Sequence, residues 1–272
     1  MDNESLYRLT SIARPLEPIY PTNKAVLLLM PAAGILAATI AVLRGGSTLD
    51  IFSVGLSAVG AVFGAWALGR ELAPDYNAAA FIGMALAFVV ALVVPSPSLL
   101  LVFLTLFLVR IVNRTVGLPA QVSDSVAVTL LVAWAVYSLE NPLLGLVAGA
   151  AFGLDALLAN PQRRQLGFAA VCLVVSTGWI GQHGVVITHT TTLTVLTKWL
   201  VAIVSVGFFV AVFRTSAPRS ASDATGELLT RQRVQAGMLI GWLVAVLSLG
   251  SGVYTAGFVW AAIAGVPLGR WR

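Results

Sequence analysis

Apolar residues run along this chain in long blocks, and polar residues are confined mostly to the stretches between them. A block of about 20 apolar residues is the length that crosses the hydrocarbon core of a bilayer as a helix. Ten segments can be recognised, so the pattern predicts an all-α, polytopic bundle of about ten membrane-spanning helices. They cover residues 24–43, 51–69, 78–94, 98–112, 124–139, 142–159, 166–180, 191–213, 234–249 and 252–268.

The last apolar stretch decides between ten helices and nine. Residues 234–268 carry no formal charge, and as one helix they would be ~50 Å long. A hydrocarbon core is only ~30 Å thick. Because Gly250 and Gly252 flank a serine near the middle of this stretch, we predict a turn there and two helices. Nine helices are the alternative.

Composition excludes a soluble globular domain. The chain is 58% hydrophobic and 10% charged, whereas soluble domains have about 25% charged residues. The formal net charge of +5 fits topology signals in membrane loops better than nucleic-acid binding. We therefore expect membrane lipids, and no nucleic acid, as partners. The single cysteine, Cys172, cannot form an internal disulfide.

The positions of the basic residues predict how the bundle is oriented in the membrane. With a cytoplasmic N-terminus and ten helices, fourteen of the sixteen lysines and arginines fall on the cytoplasmic side, as the positive-inside rule expects. Nine helices would move Arg270 and Arg272 outside. We therefore predict that both termini are cytoplasmic, in a prokaryotic cytoplasmic membrane. Residues 1–23 would form a cytoplasmic segment and residues 24–272 a single transmembrane domain, with a flexible cytoplasmic loop at 214–233.

The first group of polar residues lies at the cytoplasmic end of the second segment, where Arg70, Glu71 and Asp75 cluster. Two carboxylates four residues apart are candidate ligands for a divalent ion such as Mg²⁺, which prefers oxygen atoms. Arg70 would bind the anionic part of a substrate. Pro74 interrupts a helix here, so the spacing does not by itself bring the carboxylates together. A solvated turn with an arginine anchor is the alternative.

The second group follows the fourth segment. On a helix, Arg110, Asn113 and Arg114 share one face, because steps of three and four residues return to the same side. Two guanidinium groups and an amide suit a phosphate or a carboxylate, which arginine binds through two parallel hydrogen bonds. The alternative is anchoring by positive charges at the cytoplasmic surface. Asp124 is expected to cap the next helix.

Two charged residues lie at least one turn inside segments, where a charge is expensive and needs a partner or water. Asp155 is near the cytoplasmic end of the sixth segment. It is a third candidate metal ligand, or it forms a salt bridge with an arginine such as Arg110. Lys198 is about two turns into the eighth segment. It either extends to the membrane surface, pairs with Glu140 or Asp50, or takes part in a proton pathway.

These polar groups share the predicted cytoplasmic face. Arginines and acids at a membrane surface favour a protein that binds or processes a phosphorylated lipid or isoprenoid-type substrate, with Mg²⁺ as a candidate cofactor. A transporter or flippase is the first alternative, because Lys198 is charged within a helix. A structural subunit of a membrane complex is the second. The glycine stripe of Gly145, Gly149 and Gly153 is typical of helix packing within the chain, or of a homo-oligomer interface.

Overall fold

The computed structural model describes residues 7, 9–94, 97–184, 193–252 and 254–270. Within these ranges the chain is all-helical, with ten α-helices at the positions of the ten predicted segments. The helices are α1 (Pro21–Leu43), α2 (Thr48–Leu72), α3 (Asn77–Val93), α4 (Leu99–Asn113), α5 (Val122–Ser138), α6 (Leu143–Leu157), α7 (Gln165–His183), α8 (Val195–Phe213), α9 (Arg231–Leu247) and α10 (Gly257–Gly269).

The charge-free stretch at the end of the chain forms two helices, as predicted, so the alternative of one long helix is wrong. Helix α9 ends at Leu247 and continues as a 3₁₀ turn over Ser248–Ser251. Gly252 then adopts a φ of 127°, a region that residues with a side chain rarely occupy. This glycine allows the chain to reverse before α10.

Five of the helices are long and apolar enough to cross a membrane, namely α1, α2, α7, α8, and α9 with its 3₁₀ turn. The other five have between 13 and 17 residues. A 15-residue helix such as α4 is ~22 Å long, shorter than the ~30 Å hydrocarbon core. Most of α4 is buried, from Leu101 to Asn113. Protein rather than lipid therefore surrounds this short helix.

Contacts between helix ends show that successive helices run in alternating directions. The Ser98 N–H, ahead of α4, donates to the Thr255 carbonyl, ahead of α10, at 3.0 Å. Asn141, ahead of α6, donates to the Leu247 carbonyl at the end of α9, also at 3.0 Å. The opposite helix ends meet at the other face of the bundle. That face holds Glu71, Arg110, Asp124, Asp155 and Arg233.

Glycines let the helices approach closely. A Cβ on Gly145 would meet the Ser176 hydroxyl of α7, and one on Gly237 would meet the Asn113 side chain of α4. Gly153, in contrast, faces open space. Packing within the chain therefore accounts for Gly145 and Gly237, while Gly153 is not used in this way.

The connection from α8 to α9 lies folded against the bundle. It begins at Arg214 and ends before Arg231, so it is shorter than the predicted flexible loop at 214–233. An isolated antiparallel bridge joins Ala221 to Leu228. The Asp223 and Ala224 N–H groups donate to carbonyls of the α4–α5 connection, at 3.2 and 2.9 Å. These contacts hold the loop over the ends of α2 and α4.

Candidate functional site

A cleft of about 900 Å³ opens at the polar end of the bundle, and its size is typical of a small-molecule site. The N-terminal segment and the start of α1 form one wall, the last three turns of α2 form another, and the loop at 214–230 forms the rim. The residues that line it are Tyr7, Arg14, Pro15, Leu16, Glu17, Tyr20, Pro21, Thr22, Asn23, Phe63, Trp66, Ala67, Arg70, Glu71, Pro74, Asn77, Arg110, Ser220, Ser222 and Asp223.

An ion-pair network forms the floor of the cleft. The fully buried Glu71 carboxylate accepts a hydrogen bond from Arg110 at 3.0 Å and is 3.5 Å from Arg14. Arg14 also pairs with Asp223 at 2.5 Å. Burial by itself lowers the pKa of Arg14, but the charges of Glu71 and Asp223 outweigh burial and hold that pKa above its ordinary value. Arg14 and Arg110 are therefore already paired with carboxylates.

Arg70 differs from the other two arginines of the cleft. Its guanidinium donates to Asn77 Oδ1 at 2.8 Å and lies 5.9 Å from the centre of the Trp66 ring. Within the described ranges it forms no salt bridge. The Trp66 Nε1–H is buried and has no hydrogen-bond partner among the same residues. Arg70 and Trp66 thus offer a charge and a donor without an anionic partner.

The inner part of the cleft is apolar and aromatic. Phe63 lies two turns before Glu71 on α2, so the cleft extends ~12 Å along this helix. The Phe63 ring is 6.3 Å from Trp66 and 6.2 Å from Phe103, centre to centre. Leu16 lines the opposite wall. A ligand with a charged head and an apolar tail matches this change from polar to apolar lining.

A second ion cluster lies outside the cleft and ties three helices together. The fully buried Asp155 Oδ1 accepts hydrogen bonds from Arg114 at 2.7 Å and from Arg233 at 2.8 Å. Both arginines also donate to carbonyl groups, Arg114 to Asn160 and Arg233 to Val112, each at 2.8 Å. Asp155 therefore has arginine partners, as predicted, but Arg110 is not one of them.

The structure separates the residues that were predicted to share one face of the fourth helix. Helix α4 ends at Asn113, and Arg114 has a left-handed φ of 52°, which turns its side chain toward α6. Asn113 and Arg110 both bind Glu71: the Asn113 Nδ2 donates to the Glu71 carbonyl at 2.8 Å, and Arg110 pairs with the Glu71 carboxylate. Of the predicted phosphate ligands, Arg70 and Arg110 line the cleft, whereas Asn113 is buried behind it and Arg114 belongs to the second cluster.

Asp124 helps to cap α5, as expected, but as the third residue of a capping box whose N-cap is Gln121, and it also holds the N-terminal segment. Its Oδ2 accepts hydrogen bonds from the N–H and the hydroxyl of Ser11, both at 2.8 Å, and from the Gln121 N–H at 3.1 Å. In addition, Arg110 donates to the Ile12 carbonyl at 2.8 Å. These contacts fix the N-terminal wall of the cleft.

Asp75 is exposed and binds the loop between α8 and α9. The N–H of Arg219 and both the N–H and the hydroxyl of Ser220 donate to it, at 2.7 to 3.1 Å. Partial burial acts to raise the pKa of Asp75, but these hydrogen bonds outweigh it and hold that pKa below its ordinary value. Asp75 therefore anchors a loop that forms the rim of the cleft.

Lys198 is exposed in the first turn of α8. The helix begins at Val195 rather than at residue 191, so Lys198 is closer to the helix end than the sequence indicated. Among the described residues it forms no salt bridge, with Glu140, Asp50 or any other acid. This position fits a side chain that extends to the membrane surface.

The three candidate metal ligands have separate partners. Glu71 binds Arg110 and Arg14, Asp155 binds Arg114 and Arg233, and Asp75 binds Ser220. In the part of the chain that the structure describes, no group of three or more His, Cys, Asp or Glu side chains is arranged to hold a metal ion. The carboxylates are thus used in ion pairs and a loop anchor.

Sequence reasoning missed four residues that build these two sites. Arg14, Trp66, Asp223 and Arg233 were not singled out as candidate site residues. Arg14, Asp223 and Arg233 each meet a partner far away in the chain, as Arg14 meets Asp223. No local spacing signals such a contact, although the density of basic residues did place Arg14 and Arg233 at one face.

In comparisons with known proteins, no protein-family model, no curated protein and no solved structure matches this chain. The geometry of the two clusters and of the cleft is therefore the basis for a functional proposal.

Proposed function

We propose that this protein spans the membrane ten times with both termini in the cytoplasm, and that it binds a phosphorylated amphiphile in the cleft at the cytoplasmic face. The alternating helix directions and the basic residues at one end of the bundle support this topology. The five shorter helices would span a locally thinned bilayer or extend into connections that protein covers.

The observation that carries the proposal is the position of Arg70 and Trp66 between the polar and the apolar lining of the cleft. Arg70 has no carboxylate partner among the described residues, and the buried Trp66 Nε1–H has no acceptor there. A phosphate accepts hydrogen bonds from both groups, and arginine suits its geometry. The attached apolar chain would then lie along Phe63 and Leu16, which favours a lipid over a water-soluble phosphate.

The alternatives have less support. Charge-coupled transport through Asp155 would need this acid to reach a water-filled path, but its carboxylate is fully buried between Arg114 and Arg233 and does not line the cleft. Lys198 is at a helix end. An apolar outer face, as on α8, is expected of any lipid-facing helix, so it does not favour a structural subunit.

The test is lipid binding by the purified full-length protein in detergent, measured by native mass spectrometry with a short-chain phospholipid. A hydrogen bond to a charged group contributes ~1.5–3 kcal/mol, so Arg70→Gln should weaken binding about tenfold or more. Trp66→Phe keeps the ring and removes the N–H, and should weaken binding less.

Arg163→Gln is the matched control, because Arg163 is an exposed arginine at the same end of the bundle and does not line the cleft. It should leave binding unchanged. Equal binding by the wild type, Arg70→Gln and Trp66→Phe would overturn the proposal, and so would an equal loss in Arg163→Gln.

A further inference from the structure

The charges of the described residues that line the cleft are balanced. Its lining contains three arginines, Arg14, Arg70 and Arg110, and three carboxylates, Glu17, Glu71 and Asp223. The part of the cleft lining that the structure describes therefore has no general excess of positive charge. Its capacity for an anion depends on how the arginines are paired.

Two of the three arginines are held by acids. Arg110 binds Glu71 at 3.0 Å, and Glu71 is fully buried. Turning Arg110 toward a ligand would leave a buried carboxylate without its closest cation, which is strongly unfavourable. Arg14 lies between the same carboxylate and Asp223, at 3.5 and 2.5 Å. Among the described lining residues, Arg70 is the remaining cation, and it can neutralise one negative charge of a ligand.

Phosphorylated headgroups differ in charge. A phosphodiester carries one negative charge, whereas a phosphomonoester carries about −1.5 to −2 near pH 7, and a diphosphate ester carries more than one as well. In this cleft, the additional charge would face the carboxylates of Glu71 and Asp223. Like charges at such distances disfavour binding.

We infer, on the basis of the proposed function, that the cleft selects a phosphodiester headgroup over a phosphomonoester or diphosphate, and that Asp223 determines this selectivity by neutralising Arg14. The Asp223 side chain is 29% exposed and stands at the rim, on the loop that Asp75 anchors. Removing its charge would release Arg14 for a second negative charge. Phosphodiesters with glycerol or ethanolamine headgroups share the required chemistry.

The experiment compares lipids with identical acyl chains and three headgroups: a glycerol phosphodiester, an ethanolamine phosphodiester and a phosphomonoester. A prenyl diphosphate is the fourth competitor. Each displaces a fluorescent phosphodiester lipid from the purified protein in detergent. For the wild type, at least one phosphodiester should bind about tenfold more tightly than the monoester and the diphosphate, which corresponds to ~1.4 kcal/mol. The two phosphodiester arms distinguish the glycerol from the ethanolamine headgroup.

The Asp223→Asn variant should reduce this preference at least about threefold by tightening binding of the monoester. Asp223→Glu keeps the charge and should keep the wild-type preference. Glu227→Gln is the control, because Glu227 is an exposed acid in the same loop and does not line the cleft. Its preference should equal that of the wild type.

The possible failures are distinct. If the wild type binds none of the phospholipids, the proposed function is wrong, and so is the proposed selectivity. If it binds phospholipids but prefers the monoester or diphosphate, or shows no preference, the selectivity is wrong and the proposed function stands. If Asp223→Asn folds, as judged by its elution volume and unfolding midpoint, and keeps the wild-type preference, Asp223 is not the determinant.

Discussion

Arg114 and Arg233 donate hydrogen bonds to the same oxygen of Asp155, at 2.7 and 2.8 Å, although they come from the ends of different helices. Asp155 is fully buried, and the two arginines are nearly so. This carboxylate therefore joins the end of α4 to the start of α9 at the polar end of the bundle. It supports the elements behind the cleft without lining it.

Replacing Asp155 should destabilise the protein strongly. In Asp155→Asn two buried arginines lose their shared negative charge, and breaking a buried ion pair costs about 3–5 kcal/mol. The measurement is the free energy of unfolding in mixed detergent micelles titrated with SDS. Asp50→Asn is the control, because Asp50 is an exposed cap at the opposite end. A similar small effect of both variants would show that the cluster is not structural.

The Gly237–Asn113 contact should tolerate no added methyl group. Asn113 is buried and its Nδ2 is bound to the Glu71 carbonyl, so its side chain cannot move aside without losing that hydrogen bond. Gly237→Ala should lower the free energy of unfolding by about 1–3 kcal/mol. Gly153→Ala faces open space and should leave it unchanged or higher, because alanine favours a helix. Equal effects at the two positions would contradict the packing of α9 on α4.

The Asp75 anchor should make loop stability depend on pH. Its folded-state pKa is lowered, so its contribution is present above the ordinary carboxyl pKa of about 3.9 and is lost as the pH falls through the folded value. Proteolysis of the loop at 214–230 should therefore accelerate in the wild type as the pH falls below about 4. In Asp75→Asn it should be faster already at pH 7, with a weaker pH dependence. A pH profile identical in both proteins would contradict the anchor.

The proposed topology is tested by cysteine labelling in a Cys172→Ser background. Ala224 is exposed in the loop between α8 and α9, and Thr48 is exposed at the start of α2, at the opposite end of the bundle. A membrane-impermeant maleimide should label Ala224→Cys in inside-out vesicles only, and Thr48→Cys in right-side-out vesicles only. The reverse pattern would invert the orientation. Labelling of both from one side would contradict an odd number of passes between them.

The helices could be predicted from the sequence because lipid imposes a simple pattern. Long apolar blocks mark the helices, and proline, glycine and charged residues mark the helix ends. The charge-free stretch before Arg270 is too long for one crossing. Charge bias also placed Glu71, Arg110 and Asp155 at one face, where the structure has them. These features depend on local composition and on counting charges, which require no knowledge of how helices pack.

The partners of the polar residues could not be predicted. The sequence suggested that Arg110 and Arg114 act together, but the left-handed conformation of Arg114 sends them to different carboxylates. Likewise, the pairing of Arg14 with Asp223 depends on how the N-terminal segment and a distant loop fold over α2. Such contacts depend on how distant parts of the chain pack together, and no short spacing in the sequence indicates them.

The most direct test of the phosphate site is a cryo-EM structure of the protein in nanodiscs that contain phosphodiester lipids. We expect headgroup density in the cleft, with phosphate oxygens ~3 Å from the Arg70 guanidinium and from Trp66 Nε1, and an acyl chain along Phe63. A map that resolves these side chains and shows lipid elsewhere, but no headgroup at Arg70, would contradict it.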